Sequence, residues 1–354
     1  MADLLRWRVA AILTAATICC LLAGFSAAVA QEQPADPVYP RVDAAVRYEV
    51  DAAWPQRPES VAPFGHVAGI AVDSADRVWV FNRGEDPVQV YTAEGEFLRT
   101  WGRGLGMTAH HMKLDREENV WLSDIGRHVV EKYTPSGQLL LRLGTENEAG
   151  EDETHLFMPT DMAIAADGHV YVADGYGNAR VVHFDAEGRF VSTWGSIGSG
   201  PNQFSLPHAV AFDSQERLYV ADRNNARVQI FNRQGELLDS WSNVLVPWGF
   251  CITPEDDIWV CGSSPMRWWR GDEHPGEPLG VPPKDQLFLC FRPNGRVTQL
   301  WAIPKGEDGH EQPGELNWVH CLALDSQGAI YAGDILGQRA QKFVRREAES
   351  GAAE

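Results

Sequence analysis

Three histidines occupy one position of an internal repeat. His110, His208 and His320 each lie eleven residues before an aromatic residue that follows a short apolar run. The chain has six such aromatic residues, which mark six repeat units: Trp79, Trp121, Tyr171, Tyr219, Trp259 and Tyr331. The histidines fall in units two, four and six, and the equivalent residues of units one, three and five are Ala68, Thr160 and Trp248. Three imidazoles and one open coordination position form a catalytic zinc site. The alternative is that each histidine packs without a metal.

The repeat itself predicts the elements that would position these histidines. Unit one reads as four short apolar runs separated by turn residues, beginning near Gly69, Arg77, Val88 and Gly95. Four short strands per unit and a spacing of about 40 to 50 residues are typical of propeller blades. We therefore predict an all-β, six-bladed β-propeller. Unit six has no outer strand of its own, so the segment near Val46 should close the ring as an N-terminal strand.

Strand polarity predicts which residues share a face with the histidines. Because strands alternate in direction, the start of strand one and the end of strand two of each blade lie on the same side. Arg83, Tyr176 and Arg223 come just after strand two of units one, three and four. An arginine there could hold a substrate carboxylate, and positive charge beside a tyrosine favours its phenolate, a general base. The alternative is hydrogen bonding between blades. The insertion 262–286 should emerge on this face too.

Other recurrent residues have structural explanations. His111 is expected to point away from His110, because neighbouring side chains alternate on an extended strand. The aspartates six residues before the aromatic anchors should form turns. A second set of aspartates lies three positions after the anchors and should tie strand ends to backbone amides. This set comprises Asp124, Asp174, Asp222 and Asp334.

The N-terminal segment predicts an exported protein. Residues 1–30 combine Arg6 and Arg8, an apolar stretch and Ala28-Val29-Ala30, which is the pattern of a signal peptide. A retained anchor is the alternative, since the stretch approaches spanning length. We expect a linker at 31–45, the propeller at 46–346 and a disordered tail at 347–354. The mature protein would be secreted or periplasmic, with no stable membrane span.

Charge and cysteine content restrict the partners and the chemistry. A formal net charge of −19 argues against nucleic acid as a partner. The expected partner is a small-molecule or peptide substrate. The protein is expected to be a monomer. Four cysteines follow the predicted leader: Cys251, Cys261, Cys290 and Cys321. They could form a disulfide within blade five or remain buried thiols.

Several segments resemble a known family. The stretch LYVADRNNARVQIFNRQGELL, at residues 218–238, resembles an NHL repeat. The segments FNRGEDPV, VADGYGNARVVHF and FSLPHAVAFD are similar in type and order to the active-site segments of peptidyl-α-hydroxyglycine α-amidating lyase. The resemblance covers about residues 65 to 345. It implies a propeller enzyme that releases a peptide amide and glyoxylate.

The resemblance also implies roles for individual residues. His110, His208 and His320 would be zinc ligands, Tyr176 the catalytic base, Arg83 its electrostatic partner and Arg223 a residue near the substrate. No redox cofactor would be required. The carbonyls of Ile70 and Met112 match calcium-binding positions of the family.

Two departures from the family pattern affect these expectations. The family has an aspartate after the third histidine as a calcium ligand, and this chain has Cys321 there. Calcium would lose its only anionic protein ligand, and thiolate suits that cation poorly. Trp318 stands where the family has a methionine near the zinc.

The sequence therefore favours an exported zinc-dependent lyase that cleaves the carbon–nitrogen bond of a peptidyl-α-hydroxyglycine-like substrate. The alternative is a non-catalytic NHL propeller that binds a protein or a small molecule. A propeller lactonase is a third hypothesis, but the carboxylate and asparagine calcium site of such enzymes is not found in this register.

Overall fold

The computed structural model describes residues 47–105, 107–242, 245–264 and 285–346. The predicted leader, the linker at 31–45, the tail at 347–354 and most of the insertion at 262–286 lie outside these ranges. Among the described residues, no helix is both long enough and apolar enough to cross a bilayer.

The described residues form six four-stranded antiparallel sheets, which are the blades of a propeller. Short apolar runs bounded by turn residues produce these strands. Blade one consists of β2 (Val67–Val72), β3 (Val78–Asn82), β4 (Val88–Tyr91) and β5 (Phe97–Trp101). Blade two consists of β6 (Ala109–Leu114), β7 (Val120–Asp124), β8 (Val129–Tyr133) and β9 (Leu139–Leu143). Blade three consists of β10 (Asp161–Ile164), β11 (Val170–Asp174), β12 (Arg180–Phe184) and β13 (Phe190–Trp194). Blade four consists of β14 (Pro207–Phe212), β15 (Leu218–Asp222), β16 (Arg227–Phe231) and β17 (Leu237–Ser242). Blade five consists of β18 (Val246–Ile252), β19 (Ile258–Ser263), β20 (Gln286–Phe291) and β21 (Val297–Ile303).

The sixth sheet combines both ends of the propeller. Its strands are β22 (Val319–Leu324), β23 (Ile330–Asp334), β24 (Arg339–Arg346) and β1 (Arg47–Asp51), in that order from the axis. β1 pairs antiparallel with β24, with Val50 opposite Phe343. The innermost strand of each blade contacts those of its neighbours, and β22 contacts β2, so the blades form a ring around a central channel.

The aromatic anchors are buried between blades, and turn aspartates accept hydrogen bonds from four of them, Trp79, Trp121, Tyr219 and Tyr331. Trp79 is fully buried, and its indole N–H donates to Asp73 at 2.8 Å. The hydroxyl of Tyr331 donates to Asp325 at 2.9 Å. In these four blades, the aspartate six residues before the anchor forms the predicted turn and also satisfies the polar atom of the anchor.

The second set of aspartates ties strand ends to the chain entering each blade. Asp174 accepts the N–H of Phe157 at 2.8 Å, and Asp222 accepts the N–H of Ser205 at 2.7 Å. Asp334 accepts the N–H of Asn317 in the same way at 2.8 Å. These contacts agree with the structural interpretation of this column.

A β-bulge interrupts the innermost strand of every blade except the third. The pairing skips one residue in each of these five strands, and the skipped residues are Ala68, His110, His208, Trp248 and His320. A bulge re-aims the extra side chain. The three histidines therefore project from irregular points of otherwise regular strands.

The four cysteines of the propeller are free thiols. Cys251 and Cys261 lie on the neighbouring strands β18 and β19 but pair with Trp259 and Gly249 respectively. Of the two alternatives for these residues, the structure therefore has the thiols and not a bridge.

Candidate metal centre

His110, His208 and His320 meet on the propeller axis. The three side chains are at most 5% exposed, and the nitrogen atoms that they offer lie within 4.8 Å of one another. Their ring centroids are 4.6 to 5.0 Å apart. Three buried imidazoles at this separation could hold one metal ion.

Backbone carbonyls fix the orientation of each ring. The Nδ1 atom of His110 lies 2.6 Å from the carbonyl oxygen of Thr160. The equivalent distances are 2.6 Å from His208 to Trp248 and 2.8 Å from His320 to Ala68. A carbonyl only accepts hydrogen bonds, so each Nδ1 carries the proton and each Nε2 keeps a lone pair for a metal.

The three carbonyls belong to the same repeat column as the histidines. Ala68, Thr160 and Trp248 are the residues of blades one, three and five at the histidine position. Each histidine therefore donates to the residue at its own position in the next blade. The repeat alignment contains this signal, because it places the three carbonyls in the histidine column, although histidine side chains alone do not reveal them.

Burial keeps the imidazoles neutral. Desolvation lowers the pKa of His110, His208 and His320 well below its usual range, and neighbouring imidazoles lower the pKa of each further. Neutral imidazole is the form that binds a metal. The three histidines are therefore in the protonation state in which they could hold a metal ion at neutral pH.

Tyr176 lies directly above this cluster. Its hydroxyl oxygen is 3.2 Å from Nε2 of His110 and 3.3 Å from Nε2 of His208. Arg223, which is 1% exposed and begins a short 3-10 turn at Arg223–Asn225, donates from Nη1 to the same hydroxyl at 3.3 Å. The phenol, two imidazoles and a guanidinium thus converge on one point.

Arg83 lies at the edge of this group. Its Nε donates to the carbonyl of Ala109 at 2.9 Å, beside His110. Burial lowers the pKa of Arg83, and the nearby Tyr176 phenol opposes that shift. The six side chains predicted from the repeat therefore lie on one face of the propeller.

The prediction for His111 is wrong. Its ring does not point away from His110: the Nδ1 atoms of the two residues are 2.9 Å apart, and the His111 ring centroid lies 4.9 Å from that of His320. The bulge at His110 breaks the alternation of side chains along β6, so consecutive histidines project to the same side. Strand periodicity alone could not have shown this.

Two tryptophans form a wall beside the histidines. The fully buried Trp248 and the partly buried Trp318 have ring centroids 5.4 Å apart. The guanidinium carbon of Arg223 lies 5.9 Å from the centre of the Trp318 ring. Aromatic surface therefore adjoins the charged groups at this end of the channel.

The residues at the expected calcium position do not fit that ion. Cys321 lies in an apolar cluster with Val67 and Ile70 and packs against Gly333. Desolvation raises the pKa of this thiol well above its usual range, so it is not an anionic ligand. Cys321 therefore does not supply the charged partner that calcium would require beside the carbonyls of Ile70 and Met112.

Comparisons with known proteins agree with this architecture. An NHL repeat model matches residues 158–184 and 204–231. The chain is 30% identical to human NHL repeat-containing protein 3, over 84% of each chain. It is 31% identical to peptidyl-alpha-hydroxyglycine alpha-amidating lyase 2 of Drosophila melanogaster, over 80% of this chain and 71% of that protein.

Matches to larger proteins and to solved structures are more limited. The chain spans between 20% and 36% of the length of the peptidyl-glycine alpha-amidating monooxygenases that it matches. A streptogramin B lyase structure superposes with a TM-score of 0.56 at 13% identity, over 85% of this chain and 98% of that one, which shows a shared fold. The chain belongs to the NHL-repeat propeller family whose members include NHL repeat-containing protein 3 and the peptidyl-α-hydroxyglycine α-amidating lyases.

Proposed function

We propose that the protein is a zinc-dependent lyase that cleaves the carbon–nitrogen bond of a peptidyl-α-hydroxyglycine-like substrate and releases an amide and glyoxylate. The observation that carries this proposal is the position of the Tyr176 hydroxyl, which lies within 3.3 Å of Nε2 of both His110 and His208. A general base so close to a three-histidine cluster suits the removal of a proton from a substrate hydroxyl.

The donor set of three neutral imidazoles suits zinc, which would supply Lewis-acid stabilisation of negative charge on the substrate oxygen. His110, His208 and His320 hold their Nε2 atoms towards one point because each Nδ1–H is fixed by a carbonyl. Pre-oriented ligands of this kind need no rearrangement on binding.

Tyr176 takes the hydroxyl proton of the substrate in this mechanism. The oxygen–hydrogen electron pair forms the carbonyl of glyoxylate, the carbon–nitrogen bond breaks, and its electron pair leaves with the amide nitrogen. The nitrogen then gains one proton, so protons and electrons balance without an oxidant or reductant.

The two arginines supply positive charge near the phenol. Arg223 donates to the Tyr176 hydroxyl at 3.3 Å, so a charged donor faces the oxygen that would accept the proton. Arg83 is held by the carbonyl of Ala109 and adds to the field at the phenol. One of these guanidiniums could also contact the carboxylate of the substrate.

Export is part of the proposal. The amino-acid pattern of residues 1–30 motivates a cleaved leader and a protein that acts in the periplasm or outside the cell. Mass spectrometry of the protein from its native host should give a mature chain that begins near Gln31. The full-length mass would contradict cleavage and favour the retained anchor.

Glyoxylate release from an N-acyl-α-hydroxyglycine, such as α-hydroxyhippurate, tests the reaction. The zinc-loaded wild-type protein should release glyoxylate, and Tyr176→Phe should lower kcat by roughly 10²- to 10⁴-fold, the usual contribution of a general base. Zinc content should stay unchanged in this variant, because the phenol is not a required ligand.

Tyr219→Phe is a matched control. It removes another buried tyrosine hydroxyl, which donates to Asp213 at 3.1 Å and lies away from the histidines. Its activity should equal that of the wild type. A wild-type protein with full zinc occupancy and no glyoxylate release would contradict the lyase and favour a non-catalytic binding propeller.

A further inference from the structure

The channel below the histidines contains one long side chain among five small ones. The six residues paired with the aromatic anchors on the innermost strands are Ala71, Lys113, Ala163, Ala211, Cys251 and Ala323. These positions are equivalent by strand register, so they form one layer around the axis. The small residues leave the space that the lysine side chain occupies.

Lys113 meets a carboxylate of the neighbouring blade. Its ammonium nitrogen lies 3.3 Å from Oδ2 of Asp161, which also accepts the N–H of Val210 at 3.0 Å. Asp161 is fully buried, and Lys113 is the one side-chain cation paired with it in the described part of the chain. A buried carboxylate without such a partner is strongly unfavourable.

Asp161 lies in the layer next to the metal centre. The equivalent residues of the other blades are Gly69, His111, Ala209, Gly249 and Cys321. The side-chain carboxylate of this layer therefore comes from blade three, and its charge is balanced from within the protein. Cys321, at the position where calcium would need an anion, contributes only a neutral thiol.

Lys113 reaches this layer from the opposite end of the channel. A cavity of about 930 Å³ opens there, lined by the far ends of the innermost strands and by Lys113. The lysine side chain is 23% exposed, whereas the side chain of Asp161 has no exposure. The stem of the lysine thus runs along the channel wall and places its charge inside.

We propose that the Lys113 ammonium, paired with Asp161, is the resident cation of the channel, and that the propeller folds and functions without a calcium ion. The pair links the innermost strands of the neighbouring blades two and three, which is the role that a bound divalent cation could otherwise have. This inference concerns the fold and does not depend on the reaction proposed above.

Calcium analysis of the wild-type protein is the first test. Elemental analysis of protein purified in the presence of 1 mM calcium and then desalted should find far less than one calcium per chain. Addition of millimolar calcium to the zinc-loaded protein should change its melting temperature by less than about 1 °C, as expected when no site binds the ion. One calcium per chain, or a rise of several degrees, would overturn the proposal.

Lys113→Met is the second test. The substitution keeps the volume of the stem and leaves Asp161 buried without a cation, so the melting temperature at pH 7 should fall by roughly 5 to 10 °C. Millimolar calcium should restore part of this loss, because the carboxylate would then face an open channel. The double variant Lys113→Met with Asp161→Asn should recover the melting temperature, and calcium should not change it.

Lys132→Met is a matched control. Lys132 is 24% exposed and lies 2.9 Å from Asp115, a similar pair on the same blade. Asp115 keeps hydrogen bonds from Asn119 and Trp121, so the loss should be smaller and calcium should not reverse it. If Lys113→Met melts like the wild type, or if Lys113→Arg also becomes calcium-dependent, the ammonium is not the resident cation. If Lys113→Met does not fold, wild-type calcium content and the double variant still decide.

Discussion

Metal binding should stabilise the propeller, and the size of this effect can be worked out from the site. The proposed ligand atoms come from blades two, four and six and meet only in the folded ring, so an ion would bind the native state and not the unfolded chain. At a free zinc concentration a thousandfold above Kd, such binding adds about 4 kcal/mol to the free energy of unfolding. For a domain of this size, we expect a rise in melting temperature of roughly 8 °C.

His208→Ala should remove most of this increment. Two ligands remain, and a thousandfold loss of affinity would lower the increment to about 0.4 kcal/mol at the same zinc concentration, or roughly 1 °C. The variant also loses the hydrogen bond to the carbonyl of Trp248, which destabilises the protein with or without metal. The quantity to compare is therefore the difference between the zinc-loaded and metal-free melting temperatures of each variant.

Differential scanning calorimetry with and without zinc measures this difference. His183→Ala is the matched control, because His183 is also a buried histidine but lies in blade three, where its Nε2 is 2.8 Å from Nδ1 of His169. This control should lose stability and keep the full zinc increment. An unchanged increment in His208→Ala would refute the assignment of this residue as a metal ligand.

Three further predictions follow from the same contacts. The free energy of unfolding of the metal-free protein should fall by about 1 kcal/mol for each histidine of the trio as pH falls from 7.0 to 5.5. The pKa values of these histidines are lowered in the folded state, so the unfolded chain binds more protons below about pH 6.5. Urea unfolding at the two pH values measures the loss. Equal stability at both values would contradict neutral burial. Gly249→Ala should lower both the melting temperature and the zinc affinity, because an added Cβ would lie 2.9 Å from the carbonyl oxygen of His320. Competition with a chromogenic chelator measures the affinity. Wild-type values would show that the neighbouring strands move apart without cost. Asp174→Ala should lower the free energy of unfolding, measured in urea, by about 3 to 5 kcal/mol, since it leaves the buried Arg180 without the carboxylate 2.9 Å from its Nε. A loss below about 1 kcal/mol would show that the backbone carbonyls around Arg180 are enough to stabilise its charge.

The repeat made much of the site predictable from the sequence. One aromatic residue per unit sets the register, and a register of six units converts linear spacing into positions around a ring. His110, His208 and His320 could be assigned to one layer because equivalent residues of a propeller lie at equal depth. Arg83 and Tyr176 followed from strand polarity, since neighbouring antiparallel strands begin and end on the same face.

The tertiary structure decided what depends on contacts between blades and on irregular backbone. The bulges displaced each histidine from the alternation of its strand, and they placed His111 beside His110 where strand periodicity predicts the opposite side. The choice of free thiols over a disulfide in blade five likewise depended on the pairing of β18 with β19.

The electrostatics of the channel show the same division. The sequence by itself determined the fold class, the number of blades and the three-fold recurrence of histidine, because these depend on periodicity within the chain. Only the folded ring brought the carbonyls of Ala68, Thr160 and Trp248 to the imidazoles and Lys113 to Asp161. Those contacts join residues between 40 and 252 positions apart, so they form only when the blades close into a ring.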